Sequence, residues 1–195
     1  MRRRIAIMGG SFDPPHHGHL ILAQDAAEAL SLGSVVFVPA AAAPLKKHPP
    51  VAAAPERLEM VRAAIAGHHG WEASDWEIRQ GGTSHSLHTA RHWRERHPDA
   101  DIFWIIGADQ LAQLPAWHRI GELAQHVRFA LAARTADTPD PPPTLPPQVR
   151  IVPLPPRRMD ISSTEIRERI RKNLPVDFFL PEPVHRHIER RQLYR

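Results

Sequence analysis

Arg4-Ile5-Ala6-Ile7-Met8-Gly9-Gly10-Ser11-Phe12-Asp13-Pro14-Pro15-His16-His17-Gly18-His19 sets an apolar run against two glycines and a dense group of polar and proline-fixed residues. The run up to Met8 suits a buried strand feeding a tight turn at Gly9-Gly10. Beyond it Leu20, Ala23, Ala26, Ala27 and Leu30 recur at helical spacing, which predicts a helix closed by Gly33. A buried strand, a glycine turn and a helix in that order open an α/β unit.

The same alternation continues along the chain. Val35-Val36-Phe37-Val38 is a second buried strand, and Pro55 leads a helix carrying Leu58, Val61, Arg62 and Ile65. Trp71 to Ile78 predicts a third strand with an irregular middle. Ser86 to Arg96 predicts a helix burying Leu87, Ala90 and Trp93. Asp101 to Gly107 is the strongest strand signal, followed by Val127 to Ala132 and Val149 to Val152. Thr135 to Gln148 holds six of the 21 prolines and reads as a surface loop. Strands that are apolar throughout, alternating with helices, predict an α/β fold: a Rossmann-like open parallel sheet with helices on both faces.

Composition narrows the function. With 195 residues, 42% hydrophobic and 24% charged, the chain is the size of one ordinary globular domain. It has no cysteine, which excludes disulfide scaffolds, cysteine-ligated zinc and thiol catalysis. Arg2-Arg3-Arg4 resembles the start of a signal peptide, but the apolar stretch after it ends at Gly9, and the chain reads as cytoplasmic. Residues 1–156 carry 15 Lys/Arg against 15 Asp/Glu, so the formal excess of +4 lies wholly in residues 157–195. Those charges alternate in sign. They fit a small polyanion such as a nucleotide at least as well as a nucleic acid, and neither nucleic acid nor membrane is expected as a partner.

The chemistry concentrates between the first strand and the first helix. Ligands of open α/β sheets bind at the carboxyl ends of strands. There Gly9 and Gly10 let backbone N–H groups approach an anion, Ser11 adds a hydroxyl, and the helix start adds positive potential. His16 and His19, three residues apart, can face one ligand together. The segment is neither a Walker loop nor the G-x-G-x-x-G fingerprint. A plain glycine turn with surface histidines and a histidine-only zinc site are the competing readings. Asp13 before Pro14 reads as shaping the loop through an Asx-turn.

A second anion site lies at Asp160-Ile161-Ser162-Ser163-Thr164-Glu165-Ile166-Arg167. Ser162 and Glu165 form a capping box, Ser163 and Thr164 occupy the first helical turn, and Arg167 offers a forked cationic donor. Alone this is an ordinary helix cap. With the histidine loop it makes two helix N-termini suited to one triphosphate.

Together, GGSFDPPHHGH and ISSTEIR resemble the nucleotidyltransferases bearing the His-x-Gly-His motif, and within them the bacterial nicotinate-nucleotide adenylyltransferases. The resemblance also takes in Val38-Pro39-Ala40 with Pro44 and Lys46, Arg57-Leu58-Glu59-Met60, Ser84 to Thr89, Ile105 to Asp109, Leu114-Pro115-Ala116-Trp117, Arg134 and Leu180-Pro181. It implies a single nucleotidyltransferase domain over 1–195, with the helical part 160–195 carrying the second phosphate site. The implied reaction is adenylyl transfer from ATP to nicotinate mononucleotide, a step of NAD biosynthesis, with Mg²⁺ held mainly by the phosphates. His16, His19, Lys46 and Arg167 would then be catalytic. Gly9, Gly10, Ser11, Phe12, Gly107, Asp109, Ile161, Ser163 and Thr164 would bind ATP. Ser86, Trp117, His118 and Arg134 would bind the acceptor, with Trp117 stacking on the pyridine ring.

The chain departs from the family pattern at four places. His85-Ser86-Leu87-His88-Thr89 replaces the usual Tyr-Thr-hydrophobe-Asp-Thr, Leu45 replaces a histidine before the loop lysine, His118 replaces a common aromatic, and Arg134 lacks a following Pro-Gly. A nicotinamide mononucleotide or phosphopantetheine adenylyltransferase and a non-catalytic ATP sensor remain the alternatives. The phosphopantetheine enzymes are usually shorter and lack the Trp117 segment.

Overall fold

The computed structural model describes residues 2–44, 48–133, 135 and 140–195. Six parallel strands form one sheet: β1 (Arg4–Gly10), β2 (Ser34–Pro39), β3 (Trp71–Ala73), β4 (Asp101–Gly107), β5 (Arg128–Ala132) and β6 (Ile151–Pro153). Their spatial order is β3-β2-β1-β4-β5-β6, the Rossmann-like arrangement that the alternation of elements predicts. Strand order reverses between β1 and β4, so their carboxyl ends open the crevice where such sheets bind ligands.

The strands are apolar throughout because both faces are covered. Ala6 and Met8 of β1, Val35 and Phe37 of β2, and Phe103 and Ile105 of β4 point to one side. That side packs on α1 (His17–Leu30), α2 (Ala54–Ile65), α7 (Ser163–Arg171) and α8 (Glu182–Arg191). The alternating residues Ile5, Ile7, Val36, Val38, Ile102, Trp104 and Ile106 meet α4 (Ser86–Arg96), α5 (Ala108–Gln113) and α6 (Ile120–His126) on the other. Each Val, Ile, Met or Phe side chain among them contributes about 1.5–3 kcal/mol by burial. Among the described residues no helix is long and apolar enough to cross a membrane.

Three local expectations are corrected. Gly9 and Gly10 belong to β1, and the left-handed residue of the turn is Phe12, at φ 49°. The first helix is closed by Ser31, also left-handed, whose N–H reaches the carbonyls of Ala27 and Glu28, two residues before Gly33. The stretch Trp71 to Ile78 is a three-residue strand followed by a short helix, α3 (Trp76–Gln80), because the Ser74 hydroxyl accepts from the Trp76 N–H and turns the chain.

Candidate active site

A cavity of about 910 Å³ lies over the carboxyl ends of β1 and β4. Gly9, Gly10, Ser11, Phe12, His16, His19, Ser86, Gly107, Asp109, Trp117, His118, Ile161, Ser163, Thr164 and Arg167 all line it. Residues 9–19 and 161–167, from opposite ends of the sequence, therefore share one space. Lys46 and Arg134 lie outside the described residues.

The glycines serve packing as much as anion approach. A Cβ on Gly9 would stand 2.8 Å from the Trp104 ring, and one on Gly18 would stand 3.0 Å from His16 Nδ1. The His16 ring sits tightly against the helix start, 3.8 Å from the His19 ring centre to centre. The His16 N–H donates to His19 Nδ1 at 3.2 Å, which places the proton of a neutral His19 ring on Nε2. Burial, with His17 alongside, pushes the His16 imidazole down from its ordinary value to about 4. The Phe12 side chain is core, 2% exposed and packed on Phe37 and the edge of His19. Only its backbone is suited to a ligand.

The two motifs are pinned to each other. Ser163 Oγ donates to the Pro14 carbonyl at 2.8 Å, and Arg167 Nη1 donates to the Asp13 carbonyl at 2.7 Å. Arg167 Nη2 donates to Thr164 Oγ1 at 3.3 Å. The Ser163 hydroxyl and both Nη atoms of the expected phosphate fork are thus engaged within the protein. The capping box forms its expected half, with Ser162 Oγ accepting from the Glu165 N–H at 3.1 Å. Among the described residues, three buried side-chain polar atoms have no protein partner: Ser11 Oγ, His16 Nδ1 and Arg167 Nε. All three belong to residues lining the cavity. Each such atom costs about 1–3 kcal/mol unless something meets it.

Residues that the sequence did not mark as the site's fasteners hold this arrangement. Asp13, 4% exposed, makes no local Asx-turn. Its carboxylate accepts from the N–H groups of Val51 and Ala52 and from the Tyr194 hydroxyl, at 2.7, 3.0 and 2.8 Å. Burial and the neighbouring carboxylate push the Tyr194 phenol up, beyond the physiological range. Arg57, 1% exposed, donates to the carbonyls of Ala52, Ser11 and Ala40 and ties three loops at the cavity floor. Its only sequence signal was membership in the quoted resemblance.

At the other end of the cavity, burial raises Glu77, which accepts from Thr89 Oγ1 and bonds to Ser84. Ser84 Oγ in turn accepts from the Ala41 N–H at 2.8 Å, fastening the loop after β2 to the loop before α4. Trp117 is half-buried, with its ring edge-on to Trp104 and Phe129 at 6.1 and 6.2 Å, and it also lines the cavity. Packing and availability as a stacking surface are both served. Among the described residues no three His, Asp or Glu side chains are placed to hold a metal ion.

The arrangement can bind a polyanion at one end and a flat ring at the other. Residues 7–169 match the model of the cytidylyltransferase-like family. A protein from Methylacidiphilum infernorum carrying the name "Probable nicotinate-nucleotide adenylyltransferase" is 43% identical over 192 residues, covering 98% of this chain and 92% of that one. One of the same name from Opitutus terrae is 41% identical over 200 residues, with 98% of each chain covered. The solved structure of Plasmodium falciparum nicotinic acid mononucleotide adenylyltransferase complexed with NaAD superposes with a TM-score of 0.76 at 18% identity, covering 99% of this chain and 98% of that one. At that identity it supports the fold.

Proposed function

The chain belongs to the cytidylyltransferase-like family, among relatives named as nicotinate-nucleotide adenylyltransferases, and on that premise we propose that it transfers the adenylyl group of ATP to nicotinate mononucleotide. The products are nicotinate adenine dinucleotide and pyrophosphate, which makes the reaction a step of NAD biosynthesis. The observation that carries the reading is the trio of unpartnered buried atoms on Ser11, His16 and Arg167 around one cavity, at the junction of two helix starts.

The acceptor phosphate is already ionised at neutral pH, so it needs no base. One of its oxygens attacks the α-phosphorus, and the bond from that phosphorus to the bridging oxygen of the β-phosphate breaks. The electron pair leaves with pyrophosphate. Catalysis is then positioning and neutralisation of the charge that develops. In this reading Ser11, His16, His19, Arg167 and the first turn of α7 hold the triphosphate, while Gly107 and Asp109 hold the adenosine. Trp117 stacks on the pyridine ring, and Ser86 with His118 meets its carboxylate. Mg²⁺ would enter on the phosphates as part of the substrate and neutralise their charge. Residues 1–195 act as one nucleotidyltransferase domain.

Pyrophosphate release from Mg·ATP, measured with nicotinate mononucleotide, nicotinamide mononucleotide or phosphopantetheine as acceptor, tests the assignment. The acid is expected to exceed the amide by at least ~10-fold in kcat/KM, because donors that meet a carboxylate are left unpaired by an amide NH₂. Equal efficiency with acid and amide would overturn the nicotinate assignment. No release with any acceptor would overturn adenylyl transfer.

A further inference from the structure

Three histidine rings meet beside Trp117. His85 precedes α4, His88 lies in the first turn of α4, and His118 follows Trp117. The ring centres of His85 and His118 are 4.4 Å apart, those of His85 and His88 5.8 Å, and those of His88 and His118 6.3 Å. His85 and His118 line the main cavity, and His85 and His88 line a smaller one adjoining it. His85 is half-buried and the other two are exposed, so no core packing requires them.

Glu77, Arg91 and Glu122 near the cluster are engaged elsewhere. From α3, Glu77 is held by Thr89 and Ser84. From α4, Arg91 pairs with Glu122 of α6, which also takes Arg119 at 2.5 Å. His92 and Glu95 of α4 border the smaller cavity, and Asp109 of α5 borders the main one. Among the described residues none of the three rings forms an ion pair or side-chain hydrogen bond with a protein group. Imidazole gains its charge between pH 5 and 8. An anion placed among imidazole rings favours their charged form, and a neutral group does not.

We propose that His85, His88 and His118 form a proton-dependent specificity wall, which makes preference for a carboxylate-bearing acceptor over its amide analogue rise as pH falls. This rests on the adenylyl-transfer reading of the cavity. The nicotinate carboxylate is ionised throughout the range, so the pH dependence comes from the protein. The 5′-phosphate, ATP and His16 also titrate, but they are common to both acceptors and cancel in a ratio.

The experiment is the ratio of kcat/KM for nicotinate mononucleotide to that for nicotinamide mononucleotide, followed from pH 6 to pH 8.5. It is expected to fall by at least ~5-fold over that range in the wild-type protein. In a protein carrying His85→Gln, His88→Gln and His118→Gln the ratio is expected to be flat. A flat wild-type ratio, or a slope that survives the triple substitution, overturns the proposal while leaving nicotinate adenylyl transfer standing. Imidazole NMR titrations give a readout independent of turnover. Adding nicotinate mononucleotide should raise the apparent pKa values of the cluster, and adding nicotinamide mononucleotide should not. Equal shifts with both ligands, or none, would also overturn it.

Discussion

Replacing Asp13 by Asn removes one charge and almost no volume, and it tests whether the loop after β1 is held by a carboxylate. Oδ2 accepts from Val51 N–H, and Oδ1 accepts from both Ala52 N–H and the Tyr194 hydroxyl. Asparagine has one oxygen, so whichever way its amide turns, an NH₂ faces a backbone N–H. Stranding that donor at a site 4% exposed costs about 1–3 kcal/mol. The bonds that survive lose their charge assistance, at roughly 1 kcal/mol each. The Arg167 guanidinium, 3.8 Å from Oδ2, loses a counter-charge. The sum is about 3–5 kcal/mol, a large part of the ~5–15 kcal/mol that holds a typical domain. Urea unfolding followed by tryptophan fluorescence measures it, with an unchanged m-value as the check that the end states are the same. Tyr194→Phe removes one donor and leaves two backbone bonds, so it should cost only about 1–2 kcal/mol. Asp13→Asn within 1 kcal/mol of wild type would show that the carboxylate does not organise the loop.

Three further outcomes are expected. Arg167→Lys should lower kcat/KM for ATP by at least ~10-fold, because one ammonium cannot span the Asp13 carbonyl and Thr164 while facing a phosphate; full activity would show that charge alone suffices. His16 stays neutral in the folded protein down to about 4, whereas the unfolded chain binds that proton near 6.5, so stability is full above pH 6.5 and falls as pH drops to 4, by about 3 kcal/mol in all. Urea midpoints across that window check it, and a His16→Asn profile as steep as the wild type would contradict it. Trp117→Ala should weaken nicotinate and nicotinamide mononucleotides alike, by roughly 5–30-fold in kcat/KM, since a ring face does not read the substituent; loss with only one acceptor would place Trp117 at the carboxylate instead.

What was legible in the sequence was local. Strand runs announce themselves through consecutive apolar residues, and Ser162 with Glu165 marks a helix start by a spacing of three. The histidine loop is conspicuous because its parts lie within eleven residues. Asp13 illustrates the opposite case. A carboxylate before proline suggests a turn made with its own neighbours, yet its partners lie 38, 39 and 181 residues away. Arg57 gave no sign of burial, since an arginine in an amphipathic helix ordinarily faces water. Glu77 stood in what reads as a strand until Ser74 turns the chain. The glycines were located correctly for a partly different reason, because the ring that forbids a Cβ on Gly9 comes from β4.

The way the site is assembled leaves three buried polar atoms without protein partners among the described residues. A chain selected for stability alone would give partners to Ser11 Oγ, His16 Nδ1 and Arg167 Nε. Here their surroundings hold them without partners. Gly18 admits the His16 ring, Arg57 fixes the Ser11 carbonyl, and Asp13 with Thr164 clamps the guanidinium. On the proposed reading, donors fixed before the substrate arrives need no reorganisation as charge builds on the α-phosphate. The clamps themselves join the two ends of the chain, through Pro14 to Ser163, the His17 N–H to the Phe179 carbonyl, and Asp13 to Tyr194. The last 35 residues are therefore part of the cavity's support as well as its wall. On the proposed reading, a triphosphate held by Ser11, His16 and Arg167 would stabilise the packing of α7 and α8 by the same contacts through which it reacts.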